Sequence, residues 1–417
     1  MAQLIIQGGK KLNGTVRISG SKNAALPILA ASLLTDRPCE IRNVPNIGDV
    51  HTMLSILRSL GSELEFHRNV VRIQTKQIDV SRLPRDLCMK MRASILLLAP
   101  LLARCGKVDL PYPGGCVLGK RSAYSHVSVL ETFGAKQKNK ADSLAFSGKF
   151  SATHMTMPEF SVTATENAIM AAVAAPGKTM LHLAATEPHV RDLCDFLVAL
   201  GAKIEGIGTH RLTIFGGKKL HGGQHAVTGD YLEAGTLLLA GALTRGTVTI
   251  TNIVADDLDA FVYLMRDMGV PIVRTKSSIT VKPYKKLEAA RRLQTNVFPG
   301  FPTDLQPPFC ILLTQAAGDS LIHETLFEGR FKYFGELEKM GAKIKVLNPH
   351  QAVVTGPKKL KGKEVKSWDL RAGAAMVLAG LVANGTTKVT DIAYIDRGYE
   401  KFEEKLRALG ADIVREN

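Results

Sequence analysis

The chain has 417 residues, 45% of them hydrophobic and 22% charged, with a formal net charge of +16. That balance suits a soluble protein of enzyme size and excludes a disordered or fibrous chain. No apolar run approaches the roughly 18 residues needed to span a bilayer, and residues 1–9 lack the layout of a signal peptide, so the expected location is the cytoplasm.

In chain order, Gly20-Ser21-Lys22-Asn23-Ala24-Ala25-Leu26-Pro27 opens a helix, where free backbone N–H groups favour an anion. Lys22 and Asn23 there fit either an anion grip or, with Ser21 or Asn23 as N-cap, an ordinary solvated helix start. From Leu29 to Val44 a small-residue helix gives way to a turn and an alternating strand. The same succession restarts at Leu98, Met170, Leu239, Leu312 and Leu378. A second landmark alternates with it: Leu60-Gly61-Ser62, Phe133-Gly134-Ala135, Leu200-Gly201-Ala202, Met268-Gly269-Val270, Met340-Gly341-Ala342 and Leu409-Gly410-Ala411 each close a helical pattern and open an extended one. Their glycines are spaced by 73, 67, 68, 72 and 69 residues. A glycine just past a helix end is the expected cap, since it adopts positive φ without a Cβ clash. The chain therefore reads as an α/β protein of six repeated βαβαββ units. Three make a domain and six make two.

The six cysteines show no C-x-x-C spacing, so neither a zinc site nor a disulfide framework is expected, and five of them read as small buried hydrophobes. Cys116 differs. It lies in Leu110-Pro111-Tyr112-Pro113-Gly114-Gly115-Cys116-Val117-Leu118-Gly119-Lys120-Arg121, a loop composition suited to a lid, beside cations that lower a thiol pKa. A functional thiol and an incidental loop cysteine both fit. Gly114-x-x-x-x-Gly119-Lys120 has the spacing of a phosphate-binding loop, but Arg121 stands where the magnesium-binding hydroxyl is required, and this together with the sixfold repeat argues against an NTPase. Arginines recur near element boundaries, at Arg92, Arg330, Arg371 and Arg397. Each alone reads as a surface ion pair; together they suit a grip on phosphate or carboxylate. Asp304, in Phe301-Pro302-Thr303-Asp304-Leu305-Gln306, fits a helix N-cap or a preorganised base. The basic excess points to phosphate-bearing partners, yet no stacking aromatics or nucleic-acid motif accompany it.

Six segments, in order along the whole chain, resemble the enolpyruvyl transferases that act on UDP-N-acetylglucosamine. They are Ser19 to Pro27, Met91-Arg92-Ala93-Ser94, Pro113-Gly114-Gly115-Cys116, Phe301-Pro302-Thr303-Asp304, Asp369-Leu370-Arg371-Ala372 and Ile395-Asp396-Arg397-Gly398-Tyr399-Glu400. The resemblance implies two inside-out α/β barrel domains, 1–21 with 230–417 and 22–229, with the active site in the cleft between them. It implies transfer of the enolpyruvyl group of phosphoenolpyruvate to the 3′-hydroxyl of UDP-N-acetylglucosamine, with no metal or organic cofactor. Lys22, Asn23, Arg121, Arg330, Arg371 and Arg397 would hold phosphoenolpyruvate. Cys116 would act as general acid, form a reversible adduct and be alkylated by fosfomycin, while Asp304 would be the base and Asp369 would lie near the reacting centre.

By the same resemblance, Asn23, Arg92, Arg121, Ser122, Ala123, Tyr124, Ser125, Glu159, Phe160, Ser161, Val162, Asp304 and Leu326 would contact the nucleotide sugar. The partners implied are these two small molecules, with no nucleic acid or membrane and a monomer or weak homo-oligomer. Some positions depart from the family pattern: Tyr124 replaces an acidic residue, Glu159 a frequently basic one, and Tyr333 and Tyr394 frequent histidines. Two other readings stand beside this one. A shikimate 3-phosphate enolpyruvyl transferase would lack the Pro-Gly-Gly-Cys segment, and a non-catalytic anion- or nucleic-acid-binding relative is motivated by the charge.

Overall fold

The computed structural model describes residues 2–114, 122–138 and 140–416. Cys116 and Arg121 lie outside the described residues. The repeat is clearest from His154 onward: strand His154–Thr156, helix Val162–Ala174, strand Gly177–His182, helix Pro188–Ala199, then strands Lys203–Glu205 and Arg211–Gly216. The first two strands pair parallel across the helix, and the others pair antiparallel. A helical crossover permits the parallel pair, whereas a short turn forces the antiparallel one.

Two sheets of one unit are completed by the start of the chain. Asn13–Arg17 pairs parallel with Thr247–Thr251, and Gln3–Gln7 lies between Thr386–Thr390 and Asp412–Glu416. In the other unit Gly223–Ala226 pairs parallel with Cys39–Arg42 and completes the first repeat from its far end. The second repeat departs from the expected βαβαββ pattern. Among the described residues its sheet has three strands, Lys107–Pro111, Ser143–Ser147 and Lys136–Lys138, and short helical turns at Val80–Arg82 and Arg85–Lys90 occupy the leading segment. The Asp79 carboxylate accepts from the Ser81 N–H at 3.0 Å, and Pro84 has no N–H to give a ladder.

All six helix-ending glycines have positive φ, between 94° and 107°. At the first, the Gly61 N–H donates to the Arg58 carbonyl at 3.1 Å and the Ser62 N–H to the Leu57 carbonyl at 3.0 Å; the same bond pair recurs at Gly134, Gly201, Gly269, Gly341 and Gly410. This is the Schellman closure, which satisfies carbonyls that the helix end would otherwise leave unpaired.

The chain forms two compact units, residues 2–19 with 229–416 and residues 20–114 with 122–228. In the first, the helices Tyr231–Leu243, Gln306–Gln315 and Leu370–Val382 pack on one another. Every residue of Tyr231–Leu243 is buried, and its one carboxylate, Glu233, accepts from the Ser19 N–H at 2.8 Å and pairs with Lys405. The strands lie outside these helices and alternate buried with less buried residues, as in Thr247–Thr251. Each unit thus places helices within and sheets without, and has its own apolar core. Cys39, Cys88, Cys194 and Cys310 are buried within these cores; Cys105 departs from the expectation and is only half-buried. Among the described residues no helix is long and apolar enough to cross a membrane.

Candidate active site

In the first unit, Asp304 belongs to a single helical turn, Thr303–Leu305, just before the Gln306–Gln315 helix. The position that would cap this turn is Pro302, which has no side-chain cap bond, so Asp304 is not an N-cap. Its carboxylate instead accepts from Arg330 Nη2 at 2.8 Å and from Arg371 Nε at 3.0 Å. The side chain of Asp304 is 30% exposed, whereas those of Arg330 and Arg371 are 1% and 3% exposed. Arg330 Nη2 also donates to the Thr303 carbonyl at 2.9 Å, and Arg371 lies 5.2 Å from the Tyr399 ring centroid. Among the described residues, Arg330 Nε and Arg371 Nη1 are buried without a hydrogen-bond partner. A buried guanidinium with an unused N–H is costly, and is suited to an incoming anion.

Burial alone would raise the Asp304 pKa, but Arg371 and then Arg330 outweigh it and hold the carboxyl well below the usual carboxylate range. Asp369 is the N-cap of the Leu370–Val382 helix, accepting the backbone N–H groups of Arg371 at 2.7 Å and Ala372 at 2.8 Å. It thereby fixes the backbone from which the Arg371 side chain springs. Sequence reading missed Glu324. This buried carboxylate accepts from Thr295 and Thr303 hydroxyls at 3.0 and 2.9 Å and from the Leu326 N–H at 3.0 Å. It ties the Asp304 turn to the segment carrying the exposed Leu326, and no spacing signal announced it. Arg397 is half-buried at the end of the Ala393–Asp396 helix. Tyr333 is a core residue whose hydroxyl accepts from Gln306 Nε2 at 2.8 Å, and Tyr394 is half-buried.

In the second unit Ser21 caps the Lys22–Ala31 helix, accepting the Ala24 N–H at 3.4 Å. Lys22 is not solvated: its Nζ lies 2.7 Å from the Asp49 carboxylate, itself buried, a partner that sequence reading also missed. Asn23 beside it is half-buried. Arg92 Nη2 donates to the Ser122 carbonyl at 3.0 Å, and Ser122 Oγ accepts the Tyr124 N–H at 2.9 Å. Ala123 is half-buried, and Tyr124 is 66% exposed. Ser125 is buried and donates its hydroxyl to Glu159. Phe160 is exposed and edge-on to His210, with ring centroids 5.3 Å apart. Ser161 immediately precedes the Val162–Ala174 helix but makes no side-chain cap bond.

Two clusters therefore emerge. Asp304, Arg330, Arg371 and Asp369 converge in the first unit; Arg92, Ser122, Ser125 and Glu159 are linked in the second. Among the described residues no three or more His, Cys, Asp or Glu side chains form a group that could hold a metal ion.

The sequence profile of the EPSP synthase (3-phosphoshikimate 1-carboxyvinyltransferase) family matches residues 6–406. The chain belongs to this enolpyruvyl transferase family. Within it, the chain is 43% identical to the UDP-N-acetylglucosamine 1-carboxyvinyltransferase of Methylacidiphilum infernorum, over 100% of this chain and 99% of that protein. It is 46% identical to the protein of the same name from Campylobacter hominis, over 99% of each. Among solved structures, the enolpyruvyl transferase NikO from Streptomyces tendae is 27% identical with a TM-score of 0.90, covering 99% of this chain and 98% of its own. EPSP synthase from Acinetobacter baumannii, at 18% identity, a TM-score of 0.79 and full coverage of both chains, shares the fold. The two-domain inside-out barrel is the architecture of the family.

Proposed function

We propose that this chain transfers the enolpyruvyl group of phosphoenolpyruvate to the 3′-hydroxyl of UDP-N-acetylglucosamine and releases phosphate, the first committed step of peptidoglycan synthesis. The full-length relatives at 43% and 46% identity carry the UDP-N-acetylglucosamine name, which favours that acceptor over shikimate 3-phosphate. The observation that carries the chemistry is the pair of buried guanidiniums converging on Asp304, each with an N–H that no described residue accepts. Phosphoenolpyruvate brings two anionic groups, and such donors hold a carboxylate or phosphate in a fixed orientation.

In this reading Arg330 and Arg371 take part of the phosphoenolpyruvate charge, and Lys22, Asn23, Arg121 and Arg397 take the rest. Cys116 gives a proton to the methylene carbon while the sugar 3′-oxygen attacks C2 and Asp304 accepts the hydroxyl proton. The resulting tetrahedral ketal expels phosphate from C2 and loses a proton from C3, restoring the double bond. Asp304 ion-paired with two arginines is a weak base. Anionic substrate that shares those guanidiniums raises its proton affinity at the moment the proton must be taken. Arg92, residues 122–125, residues 159–162 and Leu326 serve the nucleotide sugar. A cytoplasmic enzyme supplying cell-wall growth, and through it cell shape and division, follows from that reaction.

The test is phosphate release from phosphoenolpyruvate with UDP-N-acetylglucosamine, alongside a parallel reaction with shikimate 3-phosphate and a Cys116→Ala control. Release only with the nucleotide sugar, lost in the control, is expected. Release only with the shikimate ester, or in neither reaction, overturns the reading.

A further inference from the structure

His126 follows directly after the residues 122–125 assigned above to the nucleotide sugar, and it is buried. Its ring is held by Asn167 of the Val162–Ala174 helix. The orientation of that amide is unambiguous: Asn167 Oδ1 accepts the Ala99 N–H at 3.1 Å, and Nδ2 donates to the Ile95 carbonyl at 3.0 Å. An N–H can only donate and a carbonyl can only accept, so the second Nδ2 hydrogen faces His126 Nδ1, 2.9 Å away. Nδ1 is therefore an acceptor, the ring proton is on Nε2, and Nε2 donates to Thr163 Oγ1 at 3.1 Å. Burial, then the Arg92 cation, push the imidazole pKa down to about 3, so the ring stays neutral.

Both ring nitrogens of His126 are hydrogen-bonded, and the cluster joins three separate stretches of chain. Segment 122–126 is tied to Arg92 through the Ser122 carbonyl, to Glu159 through Ser125 and to Thr163 and Asn167 through His126. Those are the segments assigned to the nucleotide sugar. We propose that His126 and Asn167 are positioning residues that set the stance of residues 122–125 toward the nucleotide sugar without touching it. The proposal rests on the acceptor reading above.

Steady-state kinetics of His126→Leu and Asn167→Ala test it, with Thr163→Val as a mild, near-isosteric variant and His126→Gln as the conservative one. The first two are expected to raise KM for UDP-N-acetylglucosamine about tenfold, the weight of one buried hydrogen bond. KM for phosphoenolpyruvate and kcat should stay within about twofold of wild type, since the phosphoenolpyruvate grip is untouched. His126→Gln accepts from Asn167 and donates to Thr163, and should restore most of the loss. Thr163→Val, which leaves the fold least disturbed, decides the matter if the others fail to fold: its nucleotide-sugar KM should rise alone. Nitrogen-15 NMR of the ring should report a neutral Nε2–H tautomer that does not titrate between about pH 5 and 8. Unchanged nucleotide-sugar KM in folded variants, an equal rise in both KM values, or an Nδ1–H ring each overturn the proposal. A wild-type protein without turnover instead overturns the acceptor reading itself, so the two failures are distinct.

Discussion

At Asp304, burial and two guanidiniums pull the carboxyl in opposite directions, and the guanidiniums prevail. A folded-state pKa below the unfolded value of about 3.9 means the ion pair contributes stability above that pH and loses it as the pH falls through the folded value. In the free enzyme Asp304 therefore stays ionised down to strongly acidic pH and sets no acid limb in the neutral range. Arg371→Met removes the stronger of the two attractions. The acid limb of kcat/KM is expected to move toward neutral pH in this variant, on top of a large fall in absolute value. Superimposable acid limbs in the two proteins would show that Arg371 does not tune Asp304. The sequence left Asp304 between cap and base because its arginine partners lie 26 and 67 residues away. Lys22 is the parallel case: nothing near it in the chain announces Asp49, 27 positions on, as the buried partner.

Among elements, the helix-ending glycines and the small-residue helices were legible, because φ > 0 and a run of small apolar residues are local properties. The two kinds of glycine have different consequences. At Gly341 an added Cβ meets its nearest atom at 3.7 Å, so Gly341→Ala is expected to cost only the left-handed backbone strain, about 1–2 kcal/mol, with kcat unchanged. At Gly235, inside the Tyr231–Leu243 helix, a Cβ would stand 2.5 Å from Leu305 Cδ1. Leu305 adjoins Asp304, so Gly235→Ala should lower stability by about 1–3 kcal/mol through overpacking and also depress kcat. Urea unfolding and turnover of the two variants separate these effects; equal kcat values would disconnect the inner helix from the Asp304 turn. The missing leading strand of the second repeat was not legible. Repetition favoured a strand there, but the Asp79 carboxylate and Pro84 prevailed locally.

For the molecule as a whole, each unit has its own core, and the first is closed by strands from the chain start. Removing residues 2–18 takes out the middle strand between Thr386–Thr390 and Asp412–Glu416 and the neighbour of Thr247–Thr251. It takes no strand from the other unit. Limited proteolysis of that truncation should degrade the first unit and leave a resistant fragment of about 200 residues, the size at which a single core is self-sufficient. Equal resistance of both units would mean the closing strands contribute little. The sequence by itself determined the number of repeats, their helix caps, their small-residue helices and, through six ordered segments, the family. The tertiary structure alone decided which distant strands close the sheets, that Arg330 and Arg371 hold Asp304 as a carboxylate, and that Asn167 selects the His126 tautomer. The division has one cause. Backbone conformation and periodicity are set by near neighbours in the chain, whereas charge and proton position are set by whichever groups folding brings within a few ångströms.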